Sequence, residues 1–136
     1  LIEIAKQFGY LTDLESAPLQ LEGMMTGSID LLCRHQGRYY VVDYKTNHLG
    51  SAPSDYAAEA LTASIRHHQY DLQYLLYCVA VKKILALRQP KVPFEDLFGG
   101  VVYLFLRGMT GSPDGGVHFD PVPIALIEAL EAGLNS

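Results

Sequence analysis

The sequence predicts a mixed β-sheet with helices packed against it, an α/β or α+β fold. Three observations carry this reading: two apolar strands around a short polar turn between residues 22 and 45, two helical patterns between 54 and 87, and a continuous apolar run bounded by glycines from 99 to 108. Strands, then a helix pair, then a further buried strand and a helix is the order expected of a sheet covered by helices. With 136 residues and 49% hydrophobic content, the chain suits one domain with a single core.

The elements follow from pattern and punctuation. Residues 1 to 21 mix apolar positions such as Ile2, Ile4 and Phe8 with short turns and assign weakly. Residues 22 to 34 and 38 to 45 are rich in Ile, Leu, Val and Tyr and read as strands, with Gln36-Gly37 as the turn. Asn47, Gly50, Pro53 and Ser54 form a loop, and Ser54 or Asp55 is expected to cap a helix running to about Arg66, with Ala58, Leu61 and Ile65 on one face. From about Tyr70 to Leu87 one stripe holds Leu72, Leu75, Leu76 and Val79 and a second holds Tyr70, Tyr74, Tyr77, Val81 and Ile84. A helix apolar on two sides is mostly buried. The run at 99 to 108 suits a strand covered on both faces. A glycine-rich loop (108 to 116) and a closing helix (121 to 132) with Pro at its start complete the chain.

Composition narrows the function classes. Net charge is −5, so the chain as a whole lacks the basic footprint of a free-standing nucleic-acid binder, and any such affinity is local or supplied by partners. Cys33 and Cys78 lie in apolar surroundings without CxxC spacing, which fits buried, reduced thiols and a cytoplasmic location. No apolar run approaches the roughly 18 residues of a membrane span, so no membrane association is expected. The chain begins at Leu1 rather than methionine, and a fragment of something longer is expected.

The hairpin carries the chemistry. A two-residue turn pairs His35 with Arg38, and equal steps back along both strands set Asp30 opposite Asp43, with Cβ atoms about 4.5–5.5 Å apart. Like charges so opposed are destabilising. Lys45 falls on the same face as Asp43, about 7 Å further on, while Ile29, Leu31, Tyr40 and Val42 point the other way. Three arrangements answer to this trio: a structural ion-pair cluster, a carboxylate pair sharing a proton for acid–base work, and a divalent-cation site. In the last, hard oxygen ligands about 2.1 Å from Mg²⁺ relieve the repulsion and the lysine acts beside the metal.

Asp30, twelve residues, then Asp43-Tyr44-Lys45 resembles the PD-(D/E)xK nuclease signature, and Gln73-Tyr74-Leu75-Leu76-Tyr77 resembles the QxxxY motif of its RecB-like branch. GSIDLLCRHQGRYYVVDYKTNHLG, HQYDLQYLLY and FGGVVYLFLRG are similar, in order, to the C-terminal nuclease domains of RecB subunits. The resemblance implies a restriction-endonuclease-like core, a mixed central sheet flanked by helices. It implies a metal-dependent deoxyribonuclease that processes double-strand DNA ends with Mg²⁺ or Mn²⁺. Its implied partners are DNA, RecC-like and RecD-like subunits and a helicase part of the same chain, all in the bacterial cytoplasm. Asp30 and Asp43 would ligate the metal, with the Tyr44 backbone carbonyl as third ligand. Lys45 would orient or activate the attacking water and stabilise charge on the phosphate. Gln73 and Tyr77, one helical turn apart, would buttress the site, and Tyr70, one turn earlier, would share their face.

The resemblance also implies a histidine ligand from a helix upstream of the hairpin. None of the 29 residues before Asp30 is histidine, so either a fragment lacking that helix, the expected case, or a homologue lacking that ligand accounts for the departure. His35, His48, His67, His68 and His118 read as surface residues, as do Arg34, Arg38, Arg66 and Arg107. The competing function class is an inactive nuclease-fold module that holds DNA or a partner subunit. Retention of Asp30, Asp43 and Lys45 together argues against it.

Overall fold

Every element of the fold is arranged around one four-stranded sheet, described here from a computed structural model that covers residues 2–12, 31–109 and 115–135. Strand β1 (Leu31–His35) and strand β2 (Arg38–Lys45) form the hairpin. At its turn Gln36 and Gly37 both have positive φ, 50° and 79°, the backbone that a two-residue turn needs to match the twist of its strands. Pairing runs from His35 opposite Arg38 to Leu31 opposite Val42, the register the turn predicts. Asp30 and the expected first strand's residues 22 to 30 lie outside the described residues.

Helix α1 (Ile2–Gln7) precedes the hairpin, and helices α2 (Ala58–His67) and α3 (Tyr70–Arg88) follow it. Next come the single turn α4 (Phe94–Leu97), strand β3 (Phe98–Phe105), strand β4 (Val117–Asp120) and helix α5 (Ile124–Leu134). The sheet order is β1-β2-β3-β4, with β3 parallel to β2 and the two outer pairs antiparallel. The crossover from β2 to β3 runs through α2 and α3, as a parallel pair requires. This is an α/β fold with a mixed sheet.

One face of the sheet is the core face. Val41, Asp43, Val101, Tyr103 and Phe105 are buried there with Leu72, Leu75 and Cys78 of α3 and Leu126, Ile127 and Leu130 of α5. Tyr40, Val42 and Tyr44 alternate to the opposite face, where Tyr44 and Phe119 are exposed. A bulge sets the relation of β2 to β3: Tyr39 pairs with Phe98 but Tyr40 with Gly100, leaving Gly99 between them. The Tyr40 ring occupies the space that a Cβ at Gly99 would fill. Arg38 fixes the hairpin to this point by donating to the carbonyls of Glu95 and Phe98 at 2.9 and 3.1 Å.

The structure corrects several details of the sequence reading. The chain after β2 first forms a 3₁₀ turn (Pro53–Tyr56), and Asp55 accepts the Ala52 amide there at 2.9 Å instead of capping α2. Helix α2 begins at Ala58, which is exposed, so only Leu61 and Ile65 of the expected face are buried, joined by Ser64. The second apolar stripe of α3 ends early, because Ile84 and Leu87 are exposed in its last turns. The expected strand to residue 108 stops at Phe105 and turns into a 3₁₀ segment, Leu106–Gly108. The closing helix starts at Ile124 after Pro123. Helix α1, β4 and α4 were not assigned from sequence; at six, four and four residues they are too short to show a period. Cys78 is buried, but Cys33, on the outer face of an edge strand, is only half-buried; both are free thiols.

Candidate active site

Strand β2 delivers Asp43 and Lys45 to one face because side chains alternate with a period of two. Asp43 is 3% exposed, a rare depth for a carboxylate. Lys45 Nζ lies 2.7 Å from Asp43 Oδ2, and the lysine side chain is itself only 15% exposed. Asp43 Oδ1 is buried and accepts no hydrogen bond from any described residue. A buried acceptor left open carries a desolvation penalty unless some other partner takes it.

Aromatic side chains complete the lysine's surroundings. Nζ stands over the Tyr70 ring, 4.0 Å from its centroid, and 5.3 Å from that of Tyr103. Cation–π attraction at this range, partly out of water, holds the ammonium in one place. Tyr70 is fixed in turn by Asn47, whose Nδ2 donates to the phenol oxygen at 3.1 Å. At the carboxyl end of β2, Arg107 Nε donates to the Thr46 carbonyl at 2.7 Å, which sets a guanidinium beside the same strand end.

Tyr103 is the residue that sequence reasoning missed. It pairs with Asp43 across the parallel β2–β3 ladder and is fully buried. Its hydroxyl donates to Gln73 Oε1 at 2.9 Å, so it is the bridge from the sheet to α3. Burial first, and then the Asp43 charge, push the Tyr103 phenol far above its ordinary range. It stays a protonated donor. The available signal was a phenol inside a run otherwise made of Gly, Val, Leu and Phe, where a buried hydroxyl needs a partner.

Of the predicted site residues, the structure gathers Asp43, Lys45 and Tyr70, and joins Gln73 to them through Tyr103. Tyr77 is buried in the core one turn beyond Gln73. Tyr44 pairs with Leu104, with its ring exposed on the outer face. Asp30, the other predicted carboxylate, lies outside the described residues. Among the described residues no group of three or more His, Cys, Asp and Glu side chains is arranged to hold a metal.

A second polar cluster sits on the far side of Tyr103. Asp120 accepts hydrogen bonds from Tyr74 at 2.6 Å, from Tyr10 at 2.8 Å and from the Val122 amide at 2.9 Å. It thereby ties the segment after α1, helix α3 and the entry to α5 to the end of β4. Burial and the Asp120 charge push both phenols up. His118, expected at the surface, is instead half-buried: it pairs with Tyr103 across β3–β4 and borders a cavity of about 160 Å³ with Tyr74 and Asp120. Its Nε2 is buried with no hydrogen-bond partner among the described residues, and burial lowers its pKa from 6.5 although Asp120 opposes the shift. His67 and His68 are exposed as expected.

The profile of the PD-(D/E)XK nuclease superfamily matches residues 3–134. The chain belongs to that superfamily. It is similar to the RecBCD enzyme subunit RecB of Haemophilus influenzae, with 49% identity over 112 residues, 82% of this chain and 9% of the relative. It is also similar to RecB of Escherichia coli, 43% identical over 121 residues, 86% of this chain and 10% of the relative. RecB of Mycobacterium tuberculosis is 45% identical over 119 residues, 81% of this chain and 11% of that protein. The chain thus spans about a tenth of the length of these curated relatives. Asp43-Tyr44-Lys45 lies at the carboxyl end of β2.

Two predictions test the site's architecture. Tyr103→Phe removes one hydroxyl and leaves Gln73 Oε1 to water; it is expected to cost about 0.5–1.5 kcal/mol in urea unfolding. A depressed histidine pKa means that the unfolded chain binds the proton first, so the His118 contribution is complete above about pH 6.5 and declines as pH falls below it. Thermal melts from pH 8 to 5 should therefore show a smaller loss of Tm in His118→Gln than in wild type.

Proposed function

We propose that this chain is the catalytic nuclease module of a RecB-like protein and hydrolyses DNA phosphodiesters with a divalent cation. The observation that carries the reading is the buried Asp43 carboxylate, with one oxygen held by Lys45 and the other without a donor among the described residues. An open, buried carboxylate oxygen suits a hard cation better than it suits a closed ion pair. Asp30, which the sequence register sets opposite Asp43, is the second carboxylate in this reading. The Tyr44 carbonyl is the third ligand in this reading, and Mg²⁺, with Mn²⁺ as a substitute, is the cation.

Bound there, the cation would supply positive charge to the phosphate and lower the proton affinity of a water. The chain's own residues do the rest. Lys45 carries three N–H donors, of which Asp43 occupies one, leaving donors for a nonbridging phosphate oxygen or the attacking water. Charge grows on phosphate as the water oxygen attacks, and a preorganised ammonium stabilises that charge more than it stabilises the ground state. Tyr70 keeps the ammonium in place, and the Tyr103–Gln73 hydrogen bond fixes α3 against β3, the strand beside β2, so that this placement holds. Arg107, beside Thr46, is placed to meet a neighbouring backbone phosphate. The chain's net charge of −5 fits a module to which other parts of a larger helicase–nuclease, RecC-like and RecD-like subunits among them, deliver the strand.

In the full-length protein, Lys45→Ala and Asp43→Asn should each lower cleavage of linear DNA by at least about a hundredfold, in line with loss of a charge-stabilising group. Chelation of divalent ions should abolish cleavage, and added Mg²⁺ should restore it. Near-wild-type cleavage by either variant contradicts the assignment.

A further inference from the structure

The junction of α2 and α3 places an exposed stack of rings against the proposed catalytic lysine. His68 is stacked on Tyr70, centroids 5.1 Å apart and planes 20° from parallel, and Tyr70 is the ring that carries Lys45 Nζ. His67 meets His68 edge-on at 5.0 Å and 77°. His67 and His68 are both exposed, as is the neighbouring Arg66. Exposed imidazoles are ordinarily solvated and free to rotate. Here one is one stacked ring away from the half-buried Lys45 ammonium.

The backbone holds this arrangement. The His68 amide donates to the Ser64 carbonyl at 3.0 Å and the Gln69 amide to the Arg66 carbonyl at 3.2 Å, so the end of α2 is closed. Gln69 then takes φ 58°, the left-handed region that a non-glycine residue rarely occupies, and α3 begins at once. Such a conformation persists only where its surroundings enforce it, and it clusters at ligand sites. The turn fixes the direction in which His68 leaves the chain.

Resting on the nuclease reading above, we propose that His68, backed by Tyr70, is a stacking platform for one nucleobase of a single-stranded DNA segment next to the scissile phosphate. His68 is exposed with Tyr70 behind one face and the exposed His67 ring edge-on beside it, so a base seats on it by displacing His67; base–aromatic stacking tolerates any sequence because every base has a π-face. The platform sets which phosphate reaches Lys45: a base seated on His68 fixes the strand's advance by one nucleotide relative to the ammonium.

The experiment uses full-length protein in chelator, with short single-stranded oligonucleotides carrying one 2-aminopurine stepped through successive positions; stacking quenches this fluorescent base. Wild type should quench the probe strongly at one position. His68→Ala should remove that quench and weaken binding about tenfold, equivalent to about 1.4 kcal/mol and within the range of one stacked base. His68→Phe should restore both, which a merely structural role for the imidazole does not predict. Unchanged position-specific quenching in His68→Ala, or no quenching at any position in wild type, overturns the platform. Because no cleavage is needed, that failure is separate from failure of the nuclease reading, which normal DNA cutting by Lys45→Ala would show.

Discussion

The site depends on a carboxylate buried at 3% exposure with half of its hydrogen-bonding capacity unmet by described residues. Taking such a charge out of water is costly, and the Lys45 ammonium 2.7 Å away offsets only part of that cost. The surrounding structure enforces the burial. Val41 and Asp43 share the core face of β2, and Tyr103 seals Asp43 from the β3 side. Lys45 cannot swing into solvent without leaving Tyr70. As a structural ion pair the arrangement would leave Asp43 Oδ1 unmet, whereas a ligand with its own positive charge would meet it.

Tyrosines are the means by which the fold carries this charge. Tyr70, Tyr74 and Tyr103 present apolar bodies to the core and spend their hydroxyls on Asn47, Asp120 and Gln73 respectively. Tyr103 and Tyr74 pack edge to face, 5.5 Å between centroids, so the Asp43 side and the Asp120 side of the core meet at one aromatic contact. The sheet supplies the same connection as a transverse row, Asp43 to Tyr103 to His118. Helix α3 is therefore held against the sheet by directed hydrogen bonds as well as by apolar packing, and so Lys45, Tyr70 and Gln73 keep their relative places. Lys82 and Glu131, 2.9 Å apart, add a tie from α3 to α5 near the other end.

The hairpin was legible in the sequence because its turn chemistry is specific. Gln36-Gly37 fixes the pairing of the residues on either side, and a period of two then assigns Asp43 and Lys45 to one face without further information. Helix α3 was legible because nineteen residues give a periodic pattern time to repeat. Tyr103 was not, because its position opposite Asp43 depends on a parallel register set by the bulge at Gly99, which nothing local to either strand encodes. The half-buried state of His118 depends on β4, four residues too short to announce themselves. The aromatic contact beneath Lys45 likewise joins residues 25 apart through tertiary packing alone.

Metal binding measured directly, apart from catalysis, is the sharpest test of this account. Calorimetric titration of Mn²⁺ into the metal-free full-length protein should show a site of which Asp43 is a ligand. Asp43→Asn keeps the side chain's size and removes its charge, so it should abolish that binding while Tyr103→Phe leaves it largely intact. Equal Mn²⁺ affinity in wild type and Asp43→Asn would contradict the central claim that the open oxygen of Asp43 is there for a cation.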